Sequence, residues 1–221
     1  MTGPSSPNAQ TASGLAGESR AERKRRTILE AATTLFLRNG YRGTSMDEIA
    51  ALAGVSKQTV YKAFSDKESL FSGIVISAVA EAADPVYAEV LALEDTGDIE
   101  ADLRGFARRL LGRVMQPRIL QLRRLVIGEA ERFPELGRTF YEQGPGRTIA
   151  ALAAAFERLA ARGALQVDDP LLAAAHFNWL VMSIPLNQAM FLGDDEPPDS
   201  AELDRYADAG VRAFLTAYGQ R

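Results

Sequence analysis

The stretch that most limits what this chain can fold into is Thr44 to Phe64, TSMDEIAALAGVSKQTVYKAF. Thr44 with Asp47, and Ser45 with Glu48, both have the spacing at which a hydroxyl and a carboxylate satisfy free N–H groups at a helix start. Ile49 and Leu52 follow at helical spacing, and Gly54 stops the helix almost at once. Ser56 can then cap a further helix that turns Val60 and Phe64 inward. Two short helices joined by a tight turn containing Gly form a helix-turn-helix.

With Val55, Val60 and Phe64 committed to packing, Lys57, Gln58, Thr59, Tyr61 and Lys62 are left to project from the second of these helices. An α-helix fits the major groove of DNA. There Lys can donate to guanine, Gln can pair with adenine, and Thr and Tyr hydroxyls reach bases or phosphates. Charge supports this reading. The net charge of the chain is −4, yet Glu18 to Lys67 holds ten Lys and Arg against six Asp and Glu, a balance of +4 that leaves −8 for the remainder. A basic N-terminal module on an acidic body suits a protein that meets a polyanion at one end only. The run Arg20, Arg23, Lys24, Arg25 and Arg26 reads as a phosphate-seeking arm leading into an amphipathic helix with Ile28, Ala32, Leu35 and Phe36 inward and Asn39-Gly40 as its stop.

From about Arg25 to Phe71, through ILEAATTLFLRNGYRGTSMDEIAALAGVSKQTVYKAFSDKESLF, the chain closely resembles the tetracycline-repressor (TetR) family of bacterial transcriptional regulators. The resemblance implies an all-α protein with an N-terminal three-helix DNA-binding domain. A fourth helix would link it to a helical ligand-binding and dimerisation domain, and a small-molecule inducer would relieve repression. Carried onto this chain, the resemblance puts Thr44 and Lys67 at phosphates, Lys57, Gln58 and Thr59 at base edges, and Tyr61 and Lys62 at the groove or backbone. Ala63 stands where relatives often have His or another DNA-contacting residue, so that contact is expected to be missing. The stretch LRRLVIGEAERFPELGRTFYEQGPG, Leu122 to Gly146, also resembles the C-terminal domain of an AefR-like subgroup.

The remaining chain reads as helices between Pro and Gly punctuation: 66–83, 85–93, 99–115, 118–132, 134–143, 147–162, 169–192 and 200–218. Ser65 with Glu68 is the expected cap of the first of these. The expected division is a flexible tail over 1–21, a DNA-binding domain over 22–66 and a regulatory domain over 67–221. The uncharged run between Asp169 and Asp194 contains His176, Asn178, Pro185, Asn187 and Gln188, a poor set for lipid. It reads as a buried or interfacial helix and, with 200–218, as the homodimer surface. No Cys is present, which excludes disulfides, thiolate metal sites and a Cys nucleophile. With one His, no GxxxxGK[ST] loop and an acidic cluster Asp194, Asp195 and Glu196 beside Pro197, neither an enzyme nor a cofactor is expected. No signal peptide is visible, and a cytoplasmic protein is expected. The expected partners are therefore an operator DNA, an inducer and a second copy of the chain. A regulator of the same fold governed by a protein partner, or acting constitutively, is the alternative.

Overall fold

The computed structural model describes residues 19–93, 97–193 and 198–220. Among the described residues ten α-helices follow one another: α1 Arg20–Asn39, α2 Met46–Leu52, α3 Lys57–Ala63, α4 Lys67–Ala92, α5 Ile99–Val114, α6 Pro117–Glu129, α7 Pro134–Tyr141, α8 Arg147–Ala161, α9 Pro170–Leu192 and α10 Ser200–Tyr218. Most of the expected N-terminal tail and the Asp194–Glu196 cluster lie outside the described residues.

Caps set most of the boundaries. Ser19 and Glu22 form a reciprocal capping box, so α1 starts at Arg20 and takes in the basic run, earlier than apolar periodicity alone suggests. At α2 the box is Ser45 with Glu48. At α4 it is Asp66 with Ser69, in place of the expected Ser65 with Glu68. Asp66 Oδ1 lies 2.7 Å from the Ser69 amide, and a carboxylate also complements the positive end of the helix.

The largest departure from expectation is α4. It runs unbroken through Pro85, where two helices were expected. A proline inside a helix removes a hydrogen bond and costs about 3 kcal/mol. Val86, Val90 and Leu93, just beyond it, are all buried, and burial of one such side chain is worth about 1.5–3 kcal/mol. Tertiary packing thus outweighs the local preference.

Among the described residues two apolar cores result. The first joins Ile28, Phe36, Tyr41, Ile49, Val60 and Phe64 to Leu70 and Phe71 of α4, and continues into Leu122, Val126, Leu136 and Phe140 of α6 and α7. Packing therefore crosses the expected division at 66/67 without a break. The second core centres on Phe106, Phe156, Phe177 and Phe214, with Phe156 stacked on Phe214 at 5.0 Å and Phe177 edge-on to Phe214 at 5.2 Å. His176 is exposed and hydrogen-bonds Tyr218 through Nδ1 at 2.6 Å.

Outside this core Arg108 grips Asp208 with two parallel bonds, Nε to Oδ1 at 2.8 Å and Nη2 to Oδ2 at 2.6 Å, tying α5 to α10. The Arg108 hydrogen bonds hold the Asp208 carboxyl below its ordinary range. A lowered folded-state pKa means stability present above the unfolded value, near pH 4, and lost as pH falls through the folded one. Asp208→Asn should therefore cost about 1 kcal/mol or less at neutral pH. Thermal unfolding of the two proteins should converge as pH falls below about 4.

Candidate nucleic-acid interface and regulatory cavity

Gly54, at φ 64°, makes the turn that a side chain would strain. The Val55 amide bonds the Ala50 carbonyl at 3.1 Å, and Ser56 caps α3 by accepting from the Thr59 amide at 3.2 Å. Val60, with no exposed surface, anchors α3 to the head. Lys57, Gln58, Tyr61 and Lys62 are exposed on its outer side. Lys57 is paired with Asp47 at 2.7 Å, and that hydrogen bond raises its pKa. Thr59 is half-buried, its hydroxyl 2.8 Å from that of Ser56, and so partly spent on the cap.

Two residues expected at phosphates are engaged within the protein. Thr44 is 2 % exposed, and its hydroxyl donates to the carbonyls of Leu35 at 3.2 Å and Gly40 at 3.0 Å. In this conformation it braces the α1–α2 turn and offers no free side chain to DNA. Lys67 is half-buried and donates to the carbonyls of Tyr41 and Thr44, both at 2.9 Å, with its ammonium 4.4 Å from the Tyr41 ring. Burial, and then the charge of Arg132, lower its pKa. Its first role here is to hold the α1–α2 turn against α4.

Sequence reasoning also missed how Arg25 is used. Its Nη1 donates to the Ala63 carbonyl at 3.0 Å and its guanidinium lies 4.1 Å from the Phe64 ring, so it closes the C-terminal end of α3. Nothing in a run of five basic residues distinguishes the one that reaches across to α3. Arg20 and Lys24 stay exposed and flank, with Lys62, an open groove between α1 and α3.

The second feature is a cavity of about 60 Å³ lined from α4 (Val79 and Val86), α6 (Leu122 and Arg123), α7 (Phe140) and α9 (Asn178 and Met182), among others. A π-helical turn over Glu142–Gly146, between α7 and α8, brings Gly144 and Pro145 to its wall. Phe140 and Met182 are the aromatic and the Met that line it. Phe106, Met115 and Phe156 are core, and Tyr141 and Trp179 face outward. Among the described residues no group of three or more His, Asp or Glu is placed to hold a metal ion.

Residues 28–74 match the family of bacterial regulatory proteins, tetR family, and residues 101–220 match the AefR-like transcriptional repressor C-terminal domain. The chain belongs to the TetR family of transcriptional regulators. The solved structure of a protein assigned to TetR-family transcriptional regulators, from Mesorhizobium loti MAFF303099, is 46% identical and superposes with a TM-score of 0.86 over 92% of this chain and 100% of its own. The flavonoid-responsive regulator FrrA is 34% identical with a TM-score of 0.70, covering 90% of this chain and 98% of its own. The transcriptional repressor SCO4008 of Streptomyces coelicolor is 30% identical over 78% of this chain and 85% of its own. Three further curated transcriptional regulators, among them the HTH-type regulators YhgD of Bacillus subtilis and AcrR of Shigella flexneri, match over only 30% to 48% of their own lengths. These relatives are transcriptional regulators rather than enzymes.

Proposed function

We propose that this TetR-family protein is a cytoplasmic homodimeric repressor that places α3 in the major groove of an operator and is released by a small molecule bound in the cavity. The observation that carries the reading is α4. Its N-terminal Leu70 and Phe71 belong to the core of the DNA-binding head, while Val79 and Val86, further along the same helix, line the cavity. A drug-sized ligand needs roughly 300–1,000 Å³. Filling a cavity of about 60 Å³ must therefore move its walls, α4 included. In a dimer reading half-sites roughly 34–36 Å apart, a tilt of α4 respaces the two heads and weakens binding without touching Lys57 or Gln58. FrrA, by its name, responds to flavonoids, which supports an aromatic small molecule here.

The dimer reading rests on α9. Its inner face is buried through Ala174, Phe177, Val181 and Met182, yet Leu180, Ile184 and Phe191 are 43%, 53% and 83% exposed on the other side. A face this apolar is a protein contact. Paired α9 and α10 from two copies would make a four-helix interface.

Binding of an operator selected from a random library, at two salt concentrations and with and without a stabilising compound, tests the proposal. Gln58→Ala should relax base preference and cost about 1–3 kcal/mol. Lys67→Ala should weaken all sequences alike and lower the salt slope by about one unit per subunit, through the one ammonium N–H that the Tyr41 and Thr44 carbonyls do not take. Because it also unpins the Tyr41 and Thr44 carbonyls, it should lower the thermal midpoint, which Gln58→Ala should not. Inducer and operator must weaken each other by the same factor. A compound that stabilises the protein yet leaves operator affinity unchanged would remove the release mechanism and leave the DNA-binding reading intact.

A further inference from the structure

Among the described residues that line the cavity, Arg123 and Asn178 make no side-chain hydrogen bond or ion pair. Arg123 has its Nε sealed from solvent with no hydrogen-bond partner, and lies 5.2 Å from the Phe140 ring. Burial alone shifts its pKa, downward, and no acidic neighbour contributes. Asn178 is 1 % exposed, with neither its Oδ1 nor its Nδ2 bonded. Folded proteins rarely leave such buried atoms unsatisfied, and a half-buried guanidinium with no carboxylate beside it is destabilising. The other guanidinium in the wall, Arg113, has an unpartnered Nη1 but is ion-paired through Nη2 with Glu89, which also accepts from the solvent-exposed Arg109 at 2.9 Å. The cavity therefore keeps one guanidinium without a carboxylate partner, with an amide donor and acceptor, inside a wall that apart from Arg113 and Thr148 is made of Val79, Val86, Leu110 and similar apolar residues.

We infer that the ligand of this cavity is an organic monoanion, a carboxylate or phenolate on an apolar body, whose charge pairs with Arg123 and whose polar end bonds the Asn178 amide. This rests on the reading of the cavity as the ligand site. A carboxylate can take two parallel bonds from a guanidinium, and in a dry site such bonds are stronger than in water. A single guanidinium matches one negative charge, so a dianion would carry excess charge into an apolar wall. The apolar wall supplies affinity for the body and the polar pair supplies selection.

The test is calorimetric titration of the full chain at neutral pH with matched acid and neutral probes: 2-naphthoate against 2-naphthamide, decanoate against 1-decanol, and 2,4-dinitrophenolate against 2,4-dinitroanisole. At least one acid should bind roughly tenfold or more tightly than its neutral partner. Arg123→Gln should abolish that preference while raising the thermal midpoint of the free protein, Arg123→Lys should keep part of it, and Asn178→Asp should lose acid binding by like-charge repulsion. The inference is overturned if no acid binds, if neutral probes bind as tightly as acids, or if the preference survives in Arg123→Gln. An operator-displacement assay in parallel separates the two readings. An acid that binds through Arg123 without displacing operator sinks release and keeps the ligand class, whereas release by neutral probes alone sinks the ligand class and keeps release.

Discussion

Val60→Asp is expected to unfold the DNA-binding head and abolish operator binding together. Val60 has no exposed surface and belongs to the same core as Ile28, Phe36, Ile49 and Phe71. A carboxylate placed there loses about 1.5–3 kcal/mol of apolar burial. It also buries a charge with no partner, at a further cost of several kcal/mol. Against a total stability of about 5–15 kcal/mol, that is enough to melt a small helical module. Circular dichroism should show lost helix, and hydrogen exchange should localise the loss to residues 20–64. The second core around Phe156 and Phe214 should stay protected. Val60→Ala should cost less and keep the fold. If Val60→Asp lost operator binding with its helix signal and exchange protection intact, Val60 would have to be a contact residue rather than the anchor of α3.

The second large effect is expected at Gly210 on α10. A Cβ built there would lie 2.8 Å from the Leu180 carbonyl oxygen and 3.0 Å from the Val181 Cα, backbone atoms of α9 that cannot swing aside. On an open helix surface Gly→Ala stabilises by about 1 kcal/mol. At position 210 the sign should reverse, because α10 must slide off α9 and overpacking costs about 1–3 kcal/mol. Gly112 on α5 meets nothing within 4 Å, so Gly112→Ala is the control that should stabilise. Gly210→Leu should go further and break the proposed dimer platform, read by sedimentation as a shift toward monomer. Equal stabilisation by Gly112→Ala and Gly210→Ala would mean that α9 and α10 do not approach as closely as described.

The head and the regulatory half also meet at a second joint. Phe133, in the α6–α7 turn, packs edge-on against Tyr41 at 4.8 Å, and Arg132 lies 5.3 Å from the same ring. Lys67 covers it as well, at 4.4 Å. Movement of α6 or α7 at the cavity can therefore reach the head through Tyr41 as well as through α4.

Gly54, Ser56, Val60 and the capping box at Ser45 are local signals, and the sequence alone determined the helix-turn-helix from them, with Lys57, Gln58, Tyr61 and Lys62 on its outer side. Each signal acts within a few residues, where backbone sterics and caps dominate. Distant contacts decided the rest. Tertiary burial of Val86 and Val90 carried α4 through Pro85 against its local preference. The reach of Arg25 to Ala63, 38 residues away, and the hold of Tyr41 and Thr44 on Lys67 gave two expected phosphate ligands bracing contacts within the protein. Arg123 and Asn178 lie 55 positions apart on helices that look ordinary one at a time. Only the packing of α4, α6, α7 and α9 around one small void leaves both without partners, because whether a polar group is satisfied depends on which neighbours the fold brings to it.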